Sequence, residues 1–126
     1  MKSELVVILG ASDKPERYSY KAFKLLAQFG HKSILVHPKI KEIEGQPCFP
    51  DLKIVANKNQ SIDTLTMYVN PEISSAMAQD IVNLKPGRVI FNPGTENPEL
   101  IELLKKNNIP YEEACTLVLL KTGQFC

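Results

Sequence analysis

The sequence has little of what would commit it to a membrane, a disulfide scaffold, a metal or a polyanion. No apolar run approaches the roughly 20 residues of a membrane-spanning helix. The start, Met1-Lys2-Ser3-Glu4, leads straight into a strand and does not read as a signal peptide. The three cysteines, Cys48, Cys115 and Cys126, are odd in number and widely scattered. A disulfide framework in a small secreted chain uses many more. No CxxC pair exists, and His31 and His37 stand far from every cysteine, so no metal site is expected. Together these features point to a reduced, cytoplasmic protein. Charge of either sign is also not in excess: 15 basic against 14 acidic residues leave a net charge of +1. Such a balance builds no field for nucleic acid or an anionic membrane surface. Any anion site must come from local placement of charge.

What is present is a regular alternation of strands and helices. Leu5–Leu9 is apolar throughout, as a strand covered on both faces must be. A helix is expected from about Ser19 to Phe29, with Tyr20, Phe23, Leu26 and Ala27 as its buried stripe and Gly30 as its C′ residue. Ile34–Val36 is a second strand. Residues 45–59 contain Pro47 and Pro50, which an interior strand does not tolerate, and read as a short edge strand or loop. Thr64–Val69 is the next strand. Asn70-Pro71-Glu72 then opens a helix, with Asn as N-cap, Pro at the first helical position and an acid in the first turn. Its expected stripe is Ile73, Ala76, Met77, Ile81 and Leu84, and Lys85-Pro86-Gly87 ends it. Arg88–Phe91 is a strand and Asn97-Pro98-Glu99 opens a helix with Leu100, Leu103 and Leu104 inward. Ile109–Tyr111 reads as a last strand and Thr116–Leu120 as a closing helix or packed tail. His31 is expected at the end of the first helix, meeting its dipole.

Strands separated by helices of about ten residues imply right-handed crossovers and a parallel sheet. The expected fold is α/β: a Rossmann-like, three-layer α/β/α domain over residues 1–126, with a mainly parallel sheet of about five strands in the order 3-2-1-4-5. In such a sheet ligands sit at the carboxyl ends of the strands, where the strand order reverses. That directs attention to four loops.

The first loop, Gly10-Ala11-Ser12 with Lys14, Arg17 and Ser19 behind it, suits a mono- or diphosphate. Gly10 permits a tight turn and close approach, and a helix N-terminus follows. It lacks the three glycines of a dinucleotide fingerprint. The second, His37-Pro38-Lys39, stands where a NAD site carries an acid for the ribose hydroxyl. No acid is there, and the cation argues for an extra phosphate on the ribose, as in NADP or coenzyme A. The third and fourth, Asn70-Pro71 and Asn92-Pro93-Gly94, form rigid walls for an elongated ligand. Turn chemistry alone also accounts for each of these loops.

Taken together, these residues resemble the small single-domain CoA-binding proteins, whose fold is similar to the CoA-binding domain of the succinyl-CoA synthetase α subunit. The resemblance runs from Gly10 to Ser19, through Val36-His37-Pro38-Lys39, Ile43-Glu44-Gly45 and Phe49-Pro50-Asp51-Leu52. It continues in Val69-Asn70-Pro71-Glu72, Asn92-Pro93-Gly94 and Glu113-Ala114-Cys115-Thr116. It implies that coenzyme A or an acyl-CoA is bound, with Gly10, Ala11 and Ser12 on the pyrophosphate and Arg17 and Ser19 assisting. Pro38 and Lys39 would border the ribose phosphate, Asn70 and Pro71 the adenine or pantetheine path, and Gly94 its far side. The family often has Asn where this chain has His37. The synthetase's phosphorylated histidine matches neither His31 nor His37, so ligase activity does not carry over.

No catalytic arrangement is legible. His37, Cys115, Glu96 and Glu113 are the candidates, but there is no nucleophile elbow and no Ser-His-Asp order. The acids beside Cys115 would raise its thiol pKa, not activate it. The reading is therefore a binding module with a small-molecule nucleotide ligand, a carrier, sensor or accessory protein and not an enzyme. The alternatives are an NADP-dependent reductase and a subunit that presents CoA to a separate acyl-CoA ligase. The sequence identifies no protein partner.

Overall fold

The computed structural model describes residues 3–126. Met1 and Lys2, part of the start read above as no signal peptide, lie outside the described residues. In chain order the elements are β1 (Leu5–Leu9), α1 (Tyr18–Gln28), β2 (Lys32–Val36), β3 (Glu42–Ile43), β4 (Gln46–Phe49), α2 (Leu52–Ala56) and β5 (Thr64–Met67). There follow α3 (Pro71–Ala76), α4 (Ala78–Leu84), β6 (Val89–Phe91), α5 (Pro98–Lys106), β7 (Tyr111–Glu113) and α6 (Thr116–Lys121). The strands form one sheet in the order β3-β4-β2-β1-β5-β6-β7. All neighbours are parallel except β3 and β4.

The period-2 alternation of a strand sends successive side chains to opposite faces, and here both faces are covered. Val7, Leu9, Leu65, Met67, Val89 and Phe91 pack with α2, α4 and α5 through Leu52, Ile81 and Leu104. Val6, Ile8, Leu35 and Ile90 pack on the other face with Leu26 of α1 and Leu119 and Leu120 of α6. The result is a Rossmann-like three-layer α/β/α fold. Because β2 lies on one side of β1 and β5 on the other, strand order reverses at the carboxyl end of β1.

The structure adjusts several expectations. The sheet has seven strands, not about five, because a two-residue β3 and the short β7 extend its edges. The segment containing Pro47 is paired on both sides. This is tolerated because β4 joins the parallel ladder with β2 only at Cys48 and Phe49, after the proline. The helix expected from Asn70 to Leu84 is broken at Met77, whose φ of −114° and ψ of 20° leave the helical region. Its two halves answer to different partners. Asn97 donates from Nδ2 to Pro71 O, Ser74 Oγ and Ser75 Oγ and ties α3 to α5, whereas Ile81, Val82 and Leu84 fasten α4 to the sheet. Ile73 is consequently 45% exposed and Ala76 is exposed, outside the expected stripe.

In α1 the buried residues are Ser19, Ala22 and Leu26, with Tyr20 and Phe23 half-buried and Ala27 exposed. Small side chains on that line let the helix lie close over the sheet. Gly30 does take the left-handed conformation expected of a C′ residue, with φ +86°. His31 is not a dipole-facing cation: it is buried, its Nδ1 accepts from the Glu4 amide at 3.0 Å, and its ring packs 5.0 Å from that of Phe125.

Two polar knots hold the layers in register. At the amino ends of the strands, Arg88 donates to Thr64 Oγ1, Glu112 Oε1 and the carbonyl of Phe125, and stacks on the Phe125 ring at 4.5 Å. At the carboxyl ends, buried Asn92 donates to Thr66 Oγ1 at 2.7 Å and Met67 O at 2.8 Å, and accepts from the Thr116 amide at 2.9 Å. It joins β5, β6 and α6 in one residue. Replacing Asn92 by Ala strands several buried polar groups, each worth about 1–3 kcal/mol when unpaired. Asn92→Ala is therefore expected to lose about 2–4 kcal/mol of stability, read as a lower midpoint with an unchanged slope in urea unfolding.

Candidate functional site

The loops leaving β1, β2, β5 and β6 converge at the carboxyl edge of the sheet and enclose two adjoining cavities. The larger, about 660 Å³, is lined by the β1–α1 loop and the start of α1 on one side. Tyr68, Val69, Asn70, Ile73, Pro93 and Thr95 form the other. The smaller, about 230 Å³, is mostly apolar, with Leu9, Val36, Pro38, Pro50, Leu52 and Met77 in its wall and the carboxylates of Asp51 and Asp80 beside them. Gly10, His37, Val69 and Ile73 line both.

Gly10 sets this geometry. Its φ is +94°, and a Cβ there would lie 2.9 Å from the Tyr68 carbonyl oxygen and 3.0 Å from Val69 Cγ1. Only glycine allows so close an approach between the turn and β5. The amides of Gly10 and Ala11 both donate to Val36 O at 3.0 Å, which binds the turn to the end of β2. These two residues therefore shape the floor, and their amides are already engaged. Other groups carry the donors. Ser12 turns its hydroxyl oxygen back to accept from the Lys14 amide at 3.1 Å, and Lys14 and Arg17 stand exposed on the rim.

The start of α1 is the strongest anion-binding feature. Arg17 occupies the N-cap position in extended conformation and makes no side-chain cap, and the first turn carries no acid. Ser19, 5% exposed, lies inside the helix at its second position and is not the cap. The first-turn amides of an α-helix have no intrahelical acceptor and carry the positive end of its dipole. The starts of α2, α3 and α5 are capped by side chains, Asp51, Asn70 and Asn97 each accepting from the amide three residues on, whereas α4 and α6, like α1, have no side-chain cap. Of these three uncapped starts, that of α1 lines the larger cavity, through Arg17, Tyr18 and Ser19.

Among the residues singled out from the sequence, Gly10, Ala11, Ser12, Lys14, Arg17, Ser19, His37 and Asn70 line the larger cavity, and Pro38 lines the smaller. Lys39, Pro71, Asn92 and Gly94 line neither. Lys39 is on the exposed side of its turn, Asn92 is enclosed in the polar knot, Pro71 gives its carbonyl to Asn97, and the Gly94 amide donates to Glu96 Oε1 at 2.9 Å. The catalytic candidates Cys115, Glu96 and Glu113 also line neither cavity. Tyr68, Ile73, Thr95, Met77 and Asp80 belong to the site and were not singled out. A signal existed for Tyr68, a polar-tipped aromatic closing an apolar strand. Ile73 and Met77 read as core because the break after Ala76 leaves the periodicity intact.

The Tyr68 hydroxyl is buried with no hydrogen-bond partner among the described residues. Burial pushes its phenol up to about 12, outweighing the opposing influence of the nearby Thr116 hydroxyl.

Comparison with known proteins follows the same lines. A family model for the CoA binding domain matches residues 4–121. The chain is similar to an uncharacterized protein of known crystal structure, with a TM-score of 0.90 and 39% identity over 99% of this chain and 100% of that one. It is also similar to a conserved hypothetical protein from Pyrococcus furiosus, with a TM-score of 0.75 and 26% identity over 90% of this chain and 93% of that one. The uncharacterized protein YneT of Bacillus subtilis (strain 168) is 25% identical over 105 residues, 83% of this chain and 76% of its own length.

The unpaired Tyr68 hydroxyl yields a stability prediction. Tyr68→Phe removes a buried group that has lost its water without gaining a partner, and is expected to leave the urea midpoint unchanged or raise it. A phenol raised in the folded state stabilises the unfolded chain once that chain ionises near 10. Wild-type stability is then intact below that pH and falls as pH rises through about 12, so unfolding at pH 9 and pH 11.5 is expected to show the variant gaining on wild type only at the higher pH.

Proposed function

The chain belongs to the CoA binding domain family, and from that premise we propose that it binds coenzyme A or an acyl-CoA at the carboxyl edge of the sheet as a non-catalytic carrier, sensor or accessory module. The observation that carries this reading is the uncapped N-terminus of α1 opening on the 660 Å³ cavity. A pyrophosphate seated there meets free backbone donors, the helix dipole, the hydroxyls of Ser12 and Ser19, and the cations Lys14 and Arg17. This is anion recognition by local placement, in keeping with a net charge of only +1. The lining continues through Asn70 to Pro93 and Thr95, which suits a ligand that extends beyond its phosphates. The adjoining apolar cavity suits a flat base.

A binding role is supported by the position of Cys115, Glu96 and Glu113, which line neither cavity. His37 is the one catalytic candidate beside them, and its Nδ1 already accepts from the amides of Lys39 and Ile40. Cys48 and Cys115 form no disulfide, which accords with a reducing compartment such as the cytoplasm. Among the described residues no helix is long and apolar enough to cross a membrane.

Thermal unfolding and calorimetry with CoA and NADPH test the reading. CoA at 100 times its Kd is expected to add about 2.7 kcal/mol of stability, with NADPH giving a smaller shift. No response to millimolar CoA, or a larger response to NADPH, overturns it. Ser12→Glu puts a carboxylate where the pyrophosphate must sit. That variant is expected to lose CoA binding at least about 100-fold by charge repulsion in a partly enclosed site, while its ligand-free melting temperature stays close to wild type.

A further inference from the structure

We propose that His37 is a preorganised, uncharged hydrogen-bond donor to the bound nucleotide: its Nε2–H contacts an oxygen of the ligand where the phosphate chain meets the nucleoside. The proposal rests on the CoA reading above and adds a role for this side chain. His37 borders both cavities, one of four residues to do so, and so stands at the junction a phosphate-linked nucleoside has to cross.

The chemistry of the ring is set by its own turn. Nδ1 accepts from the amide of Lys39 at 3.0 Å and from that of Ile40 at 3.2 Å. Both contacts require a lone pair on Nδ1, so the ring proton is on Nε2. Nε2 lies across the ring from those amides, directed away from the turn. With Nδ1 committed as an acceptor, the free edge can donate but cannot accept. It therefore selects a ligand acceptor, at this junction an oxygen of the phosphate or ribose, and offers nothing to a ligand N–H. The backbone is rigid on both sides of the ring: the His37 amide donates to Phe49 O at 3.0 Å, and Pro38 restricts the residue before it to extended conformation. A donor held in one tautomer and one place before the ligand arrives loses little freedom on binding. Because it is uncharged, its contribution is insensitive to salt, unlike those of Lys14 and Arg17.

His37→Asn separates the turn from the donor. Its amide oxygen can accept from the same two amides, as Asn does in such turns, but the shorter side chain cannot carry a donor to the position of Nε2. The ligand-free melting temperature is expected to be unchanged and the affinity for CoA at least about 3-fold lower, the loss of one hydrogen bond. The salt dependence of binding is expected to keep its slope. On wild-type protein, ¹⁵N NMR of the imidazole is expected to show a single Nε2–H tautomer without ligand and a downfield shift of the Nε2–H proton at saturating CoA. A loss confined to CoA and absent with dephospho-CoA assigns the ligand oxygen to the ribose 3′-phosphate. An equal loss with both assigns it to the ribose or pyrophosphate. Wild-type affinity in His37→Asn, or an Nε2–H resonance that CoA does not move, overturns the assignment while leaving the CoA reading intact. A wild-type protein that does not bind CoA overturns both.

Discussion

The rest of this structure depends on the turn at Gly10. There the chain leaves β1 with a left-handed φ, packs against the Tyr68 carbonyl and gives two consecutive amides to Val36 O. One residue thus joins the carboxyl ends of β1, β2 and β5, the three central strands of the sheet. Any side chain at that position would push the β1–α1 loop away from β5, and the two cavities, which share Gly10, would change shape together. The apolar strands supply stability, but this contact gives the fold a site.

Around that point the molecule separates two tasks between the two cavities. The larger one is lined by an uncapped helix start, Ser12, Ser19 and two rim cations. The smaller one is lined mostly by prolines and aliphatic side chains. Val69 and Ile73 are shared walls, and Ile73 is available because the helix after Asn70 breaks at Met77. An unbroken helix would draw Ile73 and Met77 into the packed stripe that their spacing suggests. The break, held open by Asn97 on one side and the sheet on the other, turns core-like residues into lining.

The polar residues divide in the same way. Asn70 and Asn92 look alike in sequence, each closing a strand and preceding a proline. Asn70 caps α3 and borders the cavity, whereas Asn92 turns inward and makes three hydrogen bonds that fasten β5, β6 and α6. The two histidines part similarly. His31 is buried against Phe125 with Nδ1 on the Glu4 amide, and His37 sits at the mouth of the site with Nδ1 on its own turn. Residue type is the same within each pair, and the two asparagines also share a following proline; the tertiary partners differ.

The sequence by itself determined the alternation of strands and helices, the burial of β1 on both faces, the caps at Asn70 and Asn97 and the tight glycine turn after β1. Each of these is governed by residues close together in the chain, where propensity, periodicity and local hydrogen bonds act directly. Tertiary structure alone decided that Lys39 and Gly94 line neither cavity, that Asn92 is enclosed in a polar knot, that β4 tolerates its proline between two partners, and that Tyr68, Ile73, Met77 and Asp80 share cavity walls with Gly10 and His37. The physical reason is range. Whether a turn residue reaches a cavity depends on strand register and on the packing of loops up to about 80 residues apart, and neither is written in the immediate neighbourhood of the residue.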